Sequence, residues 1–399
     1  MFDPDTFHTI HLEMCRKPLW AGFAPLEIPL LVWDGTRTYA FNHPNPPAPF
    51  EPEWDWYVME GRAETIIGNS TGTLEFLPVA TVMAQNVDSQ TAAGLAIHEA
   101  FHVYQNMQYP RWSANELDLL SYPMLETDLL ALRRLETRAL SRAIAQQDLG
   151  WARAALKARA SRFAKLEEKH RVFERELERI EGTACFVEGR VMNQALELPE
   201  DDFAPNEIRR RAYVIGRAWI ELLTRFAPQQ IRELGGEYPD NLLKTVAKTA
   251  PERPLTFSIL EYERERARQD IETLKQMREA KRAEFFDGYG FMLEIRSKTP
   301  LQPQGFDPTN MELLEAGEVL HSRYLRLGDA KGSFELEDLP CLTFGAENPL
   351  MITQTYVKLP NAPAVNRVAD LRVHHDNFKF EWKNATLELL DRAMRITLN

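Results

Sequence analysis

Apolar and polar positions follow three successive patterns along the chain. Over the first ninety residues short apolar runs alternate with turns: residues 26–33 lead through Asp34 and Gly35 into residues 36–41, and a further run covers residues 73–83. An Asp-Gly pair between two such runs is typical of a β-hairpin. The pattern predicts a β-rich part over residues 1–90.

A helical pattern follows. From residue 91 to residue 285 apolar residues recur at steps of three and four, and Gly and Pro are sparse. Residues 151–196 have a heptad-like apolar seam with charged residues on the other faces, and residues 260–285 form a second long, charged run. We expect one helix over each run, within a mainly helical region that covers residues 91–285.

The strand pattern returns after Asp287 and Gly288. Apolar runs separated by turn signals predict strands over residues 291–296, 318–327, 333–339, 350–359, 370–382 and 387–398. We expect a small all-β domain over residues 286–399. The fold class predicted for the whole chain is α+β, with β-rich parts on both sides of the helical region.

Composition narrows the possible functions. The 399 residues include 47 Lys and Arg against 59 Asp and Glu, a net charge of −12, which argues against a nucleic-acid partner. The three cysteines, Cys15, Cys185 and Cys341, form no Cys-x-x-Cys pair and indicate neither a disulfide framework nor a zinc ribbon. No apolar run reaches the about 18 residues of a membrane span, and the first thirty residues lack a secretory pattern. We therefore expect a cytoplasmic protein without a membrane partner.

One motif in the helical region points to chemistry. His98-Glu99-Ala100-Phe101-His102 contains the only ionisable side chains between Leu95 and Tyr104. Residues i and i+4 share a helix face, so both imidazoles can bind one cation, and Zn²⁺ suits two neutral imidazoles. Glu99 would act as general base towards a water molecule. Without a metal, three buried polar groups would need other partners.

The third ligand is open at this point. Gln105 and Gln108 occupy the positions where metzincins have Gly and a third His, so that subclass is excluded. A glutamate from a second helix is the next possibility, and the candidates are Glu116, Glu126, Glu136, Glu178, Glu181 and Glu188. Glu181 precedes Gly182 within a helical pattern, and a glycine there suggests that another backbone approaches closely. Glu178 and Glu188 remain alternatives from the same helix face.

The segment Glu181-Gly182-Thr183-Ala184, followed by Phe186 and Glu188, resembles the second motif of the gluzincins, the zincin metallopeptidases whose third ligand is Glu. The resemblance covers two short segments, with 78 residues between His102 and Glu181. It implies a zincin-like fold and one Zn²⁺ held by His98, His102 and Glu181. Glu188 would then orient a ligand histidine.

The same resemblance extends to two further features. Related enzymes use a Tyr or His on a later helix to stabilise the oxyanion, and Tyr213 is the candidate here, the alternative being a core tyrosine. Gly216, one turn on, would let that helix pack closely. In zincins an edge strand beside the active-site helix binds extended substrate, a role that would fall to the run 73–83.

The sequence thus predicts a zinc-dependent hydrolase, a metallopeptidase with a peptide or protein substrate. The same site could also cleave another amide, an epoxide or an ester. One rival hypothesis is a binding or scaffold protein in which a zincin fold lacks turnover or holds zinc only structurally. Another is a helical interaction module in which the motif is coincidental and no metal binds. Glu99 separates the first two, because a structural site needs no general base.

Overall fold

The computed structural model describes residues 1–199, 201–315, 317–345, 348–367, 370–390 and 392–398. The fold is mixed α+β, as predicted, with 43% helix and 26% strand. The chain forms two compact units. The first comprises Met1–Asn115, Asp128–Phe203 and Glu207–Glu263, and the second Glu116–Thr127, Ala204–Asn206 and Arg264–Asn399. Among the helices described, none is long and apolar enough to cross a membrane.

Most of the helices lie in the first unit. The helices are α1 (Pro4–Cys15), α2 (Ser89–Gln108), α3 (Thr127–Gln146), α4 (Leu149–Phe163), α5 (Glu168–Val191), α6 (Ile208–Phe226), α7 (Pro239–Ala247) and α8 (Phe257–Asp287). Short 3-10 helices cover Pro25–Glu27, Glu116–Ser121, Pro228–Gly235 and Pro308–Asn310. The motif helix α2 starts at a cap in which the Asp88 carboxylate accepts a hydrogen bond from the Thr91 amide, at 2.7 Å.

A six-stranded sheet completes the first unit. Its strands are β1 (Leu30–Trp33), β2 (Arg37–Phe41), β3 (Glu51–Glu53), β4 (Trp56–Glu60), β5 (Ser70–Leu74) and β6 (Leu77–Met83), in the order β3-β4-β2-β1-β6-β5. The predicted hairpin at Asp34 and Gly35 is confirmed by the antiparallel pairing of β1 with β2. Leu30 and Val32 pack into the same core as Ile97 of α2, so the sheet supports the motif helix.

Two expectations for the first ninety residues are wrong. Helix α1 was not predicted. Asp3 caps its first turn. The buried Phe7, His11 and Met14 have a helical spacing, but the polar residues between them obscure it. The run 73–83 is not one strand but the hairpin β5–β6, with a turn at Glu75, which has a φ of 53°. Strand β6 lies between β1 and β5, so the sheet edge on this side is β5.

The single helix expected over residues 151–196 is also wrong, because the chain turns between α4 and α5. Arg162 Nη1 on α4 donates a hydrogen bond to Glu174 Oε1 on α5 at 2.5 Å. Residues twelve apart in a straight helix would be about 18 Å apart along its axis. The buried ion pair therefore requires the chain to fold back, and the seam residues belong to two helices.

Helices α5 and α6 cross at two glycines. A Cβ atom at Gly182 would overlap the backbone of Gly216, and a Cβ at Gly216 would overlap the carbonyl oxygen of Glu178. The close approach that the sequence predicted for both glycines is confirmed. It brings Glu181, which directly precedes Gly182, close to Tyr213, which lies one turn before Gly216.

A buried network of ion pairs lies among α3, α4, α5 and α6. Glu136 on α3 contacts the guanidinium groups of Arg159, Arg162 and Arg211 at 2.8–3.0 Å. Burial raises the pKa of Glu136, but the three guanidinium groups outweigh it and hold that pKa well below its usual range. Such networks add little net stability, but removing one member leaves an uncompensated buried charge.

The second unit contains the C-terminal part of α8 and a twelve-stranded sheet. The strands are β7 (Phe291–Phe306), β8 (Met311–Leu313), β9 (Glu318–His321), β10 (Tyr324–Asp329), β11 (Gly332–Glu337), β12 (Cys341–Phe344), β13 (Ile352–Leu359), β14 (Ala364–Arg367), β15 (Leu371–His375), β16 (Phe378–Trp382), β17 (Thr386–Leu390) and β18 (Ala393–Leu398). The described pairings are antiparallel except that β18 runs parallel to β7. Phe334, Phe380 and Trp382 lie in its core.

The predicted strands of this unit are correct in region but not in number. Residues 318–327, 370–382 and 387–398 each form two strands rather than one, and β8, β12 and β14 were not predicted. The turn between β15 and β16 contains Asp376 and Asn377, without Gly or Pro, so the pattern alone did not mark it. Strand β7 extends ten residues beyond the predicted 291–296, through Pro300 and Pro303.

Candidate metal centre

The metal centre expected from the sequence lies between α2 and α5 in the first unit. His98 and His102 project from α2, whose neighbouring residues Ile97 and Phe101 are in the hydrophobic core. Glu181 projects from α5 and is also buried. The helical period places both imidazoles on the face of α2 that meets α5.

Three side-chain atoms converge at this point. His98 Nε2 and His102 Nε2 are 3.0 Å apart. Glu181 Oε2 is 3.2 Å from His102 Nε2 and 3.5 Å from His98 Nε2. The structure therefore brings together the three residues that the sequence analysis proposed as ligands.

The hydrogen bonds on the far side of each imidazole locate its proton. His98 Nδ1 is 2.9 Å from Glu188 Oε2, and His102 Nδ1 is 2.7 Å from Gln105 Oε1. Both partners are acceptors, so each Nδ1 donates, and in the neutral rings each Nε2 has a lone pair directed at the centre. Three lone-pair atoms within 3.5 Å require a positive charge between them.

The electrostatics of the three groups indicate the same requirement. Burial lowers the pKa of His102, but the Glu181 carboxylate outweighs it and raises that pKa above its usual value. Burial raises the pKa of Glu181, but the facing imidazoles outweigh it and hold that pKa well below its usual range. The centre thus favours a cation, whether a proton or a metal ion.

The geometry fits a zinc ion. In a tetrahedral site with ligand bonds of about 2.0–2.1 Å, neighbouring ligand atoms are about 3.3–3.4 Å apart. The three separations, 3.0, 3.2 and 3.5 Å, lie on both sides of that value. Two imidazoles and one carboxylate also leave a fourth position for a water molecule. His98, His102 and Glu181 could therefore hold Zn²⁺.

Glu99 lies beside the two histidines on α2 and is 7% exposed. Burial raises the pKa of its carboxyl group, while the imidazoles of His102 and His98 lower it. Within the described part of the chain, no residue donates a hydrogen bond to this carboxylate. Its oxygens are available to a molecule that enters the site.

Tyr213 and Arg209 extend the site along α6. The Tyr213 ring stacks on the His98 ring with centroids 6.2 Å apart. Arg209 Nη2 donates to Glu181 Oε1 at 2.9 Å and to the Tyr213 hydroxyl at 2.8 Å. Burial and the nearby Glu181 carboxylate raise the pKa of Tyr213 above its usual range, so the phenol keeps its proton.

The other candidate glutamates have different surroundings. Glu178 accepts hydrogen bonds from Arg159 at 2.5 and 3.0 Å, and Glu136 belongs to the same buried network. Glu188 lies on the outer nitrogen of His98, the contact expected of a carboxylate that orients a ligand. Glu116 and Glu126 belong to the second unit.

A cavity of about 400 Å³ opens beside the centre. Its lining residues are Cys185, Glu188, Gln194, Ala195, Leu196, Glu197, Tyr213, Val214 and Arg217. Of these, Glu188 binds His98 Nδ1 directly, and the Tyr213 ring lies nearly parallel to the His98 ring. The cavity therefore borders the outer side of His98, where Glu188 lies, and its lining residues do not include Glu99 or the three proposed ligands.

Sequence reasoning missed two residues of the site, Gln105 and Arg209. Gln105 follows His102 by three residues, so it lies on the same helix face, and this spacing is a signal that could have identified it. Arg209 precedes Tyr213 by one turn, as part of an Arg-rich stretch that shows no distinguishing pattern. Only the crossing of α5 and α6 reveals its contact with Glu181.

Comparison of the chain with protein-family models, with curated proteins and with solved structures yields no match. The functional interpretation therefore depends on the chemistry of the site.

Proposed function

We propose that the protein is a zinc-dependent hydrolase of the gluzincin kind that cleaves peptide bonds. One observation carries the proposal: His98 Nε2, His102 Nε2 and Glu181 Oε2 converge within 3.5 Å while the outer nitrogens of both imidazoles are bound to acceptors. Three lone pairs directed at one point need a cation there, and a metal ion can bind all three at once, whereas a proton is shared by two.

His98, His102 and Glu181 would hold the ion. When bound, Zn²⁺ supplies Lewis-acid chemistry: it lowers the pKa of a water molecule and polarises a carbonyl group. The second oxygen of Glu181 is bound to Arg209, which leaves Oε2 as the ligand atom. Glu188 holds the His98 ring in the orientation that ligation needs.

Glu99 would act as the general base. Its carboxylate takes a proton from water as the water oxygen bonds to the carbonyl carbon of the substrate. The same carboxyl group then gives that proton to the leaving nitrogen as the C–N bond breaks. Tyr213 retains its hydroxyl proton and would donate a hydrogen bond to the carbonyl oxygen as negative charge develops there.

Part of a peptide substrate would occupy the cavity on the outer side of His98. With about 400 Å³ lined by Leu196, Val214 and Tyr213 as well as polar groups, it has room for one amino-acid side chain. A substrate side chain there would lie next to Tyr213, and hence next to the group proposed to stabilise the oxyanion. The substrate class remains a peptide or protein, as the sequence predicts.

Metal content and a single substitution test the proposal. We expect about one zinc per chain by mass spectrometry in both the wild type and Glu99→Gln, because Glu99 is not a proposed ligand. We also expect the wild type to cleave members of a peptide library, and the variant to cleave them at least about 100-fold more slowly, since it lacks the base.

Three results would contradict the proposal. Cleavage by Glu99→Gln at the wild-type rate would show that Glu99 is not the general base. Zinc bound without cleavage of any peptide would favour the scaffold hypothesis. A wild type that binds no zinc, even when zinc is supplied, would exclude both the zinc hydrolase and the zinc-binding scaffold.

A further inference from the structure

We infer that Gln105 is a positioning residue that keeps His102 in the tautomer required for metal binding. The inference concerns the same site and rests on the proposed function as far as the metal is concerned. It starts from the 2.7 Å contact between Gln105 Oε1 and His102 Nδ1. An amide oxygen can only accept, so this contact places the imidazole proton on Nδ1 and the lone pair on Nε2.

The amide group of Gln105 is held in one orientation by its other contacts. Its nitrogen donates to the Ile180 carbonyl oxygen at 2.9 Å and to Thr183 Oγ1 at 2.6 Å. Thr183 Oγ1 gives its own hydrogen to a backbone carbonyl, with Arg179 O at 2.7 Å, so towards Gln105 it can only accept. A flipped amide would set its oxygen against two acceptors.

Because the Gln105 amide is buried, it must keep this orientation. Gln105 is 2% exposed, so water does not replace a lost hydrogen bond, and an unmatched buried polar group costs about 1–3 kcal/mol. Only an amide meets all the demands of this position, because it accepts on one side and donates twice on the other. A carboxylate at residue 105 would face the Ile180 carbonyl and the Thr183 hydroxyl with acceptors alone.

The contacts of Gln105 also extend the motif on α5. Thr183 is the variable third residue of the segment Glu181-Gly182-Thr183-Ala184. Through Gln105, its hydroxyl is linked to His102, so α5 determines the orientation of a ligand that α2 carries. His98 is oriented differently, by the charged Glu188, whose side chain is 28% exposed. The two imidazoles thus have a neutral and an anionic partner.

Substitution of Gln105 by Met tests the inference. Met has a similar volume but no hydrogen-bonding amide, and Gln108→Met makes the same chemical change at an exposed position one turn further along α2. We expect the zinc affinity of Gln105→Met, measured by competition with a chromophoric chelator, to be about 10- to 100-fold weaker. Gln108→Met should equal the wild type.

A second readout needs no metal. Long-range ¹H–¹⁵N NMR of zinc-free protein labelled on histidine, recorded over a pH range that extends to the neutral His102 ring, reports which ring nitrogen then carries the proton. We expect His102 to be protonated on Nδ1 in the wild type and in Thr183→Ser, which keeps the hydroxyl. In Gln105→Met and, to a smaller extent, Thr183→Val, the Nε2–H form should appear. Thr183→Val also keeps the test valid if Gln105→Met does not fold.

Unchanged zinc affinity together with an unchanged His102 tautomer in Gln105→Met and Thr183→Val would overturn the inference. That result would leave the proposed function intact, because the wild type would still bind zinc. Conversely, a wild type that binds no zinc would contradict the proposed function, while the NMR experiment would still decide whether Gln105 positions His102.

Discussion

Glu178 and Glu181 lie less than one turn apart on α5, and both are buried, yet their neighbours differ. Glu178 faces Arg159, whose guanidinium group it binds through both oxygens. Glu181 faces two imidazoles through one oxygen and Arg209 through the other. A carboxylate between permanent cations neutralises them, whereas a carboxylate between neutral imidazoles is available to a metal.

This difference predicts opposite effects of the same substitution. Glu181→Gln should lose zinc, because an amide is a poor ligand, and with the zinc it should lose the unfolding free energy that the bound ion supplies. Glu178→Gln should keep about one zinc per chain but lose about 3 kcal/mol of unfolding free energy, since Arg159 remains buried with less counter-charge. Mass spectrometry and urea denaturation measure the two quantities. Loss of zinc in Glu178→Gln alone would identify Glu178 as the ligand.

At the residue scale, the sequence predicts groups that recur at a fixed spacing. His98, Glu99 and His102 follow from the helical period, and Glu181 follows from its glycine neighbour. The sequence does not predict the partners of these groups. The contact between His102 and Gln105 depends on Thr183, which is 78 residues further along the chain from Gln105. Which nitrogen carries a proton is therefore a property of the packed helices.

At the scale of elements, the crossing of α5 and α6 determines the shape of the site. No side chain fits between the two backbones at Gly182 and Gly216, so the helices meet at contact distance. The proposed ligand Glu181 and the Arg209–Tyr213 pair are thereby fixed relative to each other. Any group larger than hydrogen at the crossing must separate the helices.

Gly182→Ala should therefore destabilise the first unit. The added methyl group overlaps the Gly216 backbone, which cannot rotate away as a side chain can, and we expect a loss of about 2–3 kcal/mol of unfolding free energy. Gly236→Ala is the matched control, because a Cβ there meets nothing within 4 Å. Urea denaturation compares them. A Gly182→Ala variant as stable as the control would show that the helices can separate at little cost.

The sequence pattern does not predict where one element ends and the chain reverses. The turn between α4 and α5 falls within a continuous helical pattern of apolar residues. The ion pair between Arg162 and Glu174 accompanies this turn, and a contact between distant residues is not visible in a periodic pattern. The β15–β16 hairpin likewise lies within one run of alternating apolar and polar residues, and its turn contains no Gly or Pro. Long periodic runs predicted the type of element correctly, but not where the chain reverses.

At the scale of the whole molecule, both units contain a buried histidine that opposes protonation. Burial lowers the pKa of His11 in the first unit and of His321 in the second to about 4. Below the unperturbed value of 6.5 the unfolded chain takes up a proton that the folded chain does not. Stability is therefore fully present above about pH 6.5 and decreases as the pH falls towards 4.

His321→Gln should remove part of this pH dependence. Between pH 7 and pH 5 the wild type should lose about 2 kcal/mol of unfolding free energy through His321, and the variant should not. Glutamine can still reach Thr343, whose hydroxyl is 3.2 Å from His321 Nε2. His374→Gln, at an exposed residue of β15, is the control and should follow the wild type. Denaturation of all three proteins at both pH values decides the matter.

The proposed ligands join parts of the chain that are 79 residues apart. An ion held by α2 and α5 would bind the folded first unit and not the unfolded chain, in which the ligands are apart, so binding would stabilise the fold. Binding would also relieve the mutual repulsion of three acceptor atoms, so the supply of zinc would help to set the fraction of the first unit that is folded. Zinc starvation would then shorten the lifetime of the protein against proteases, and its abundance as well as its activity would follow the metal.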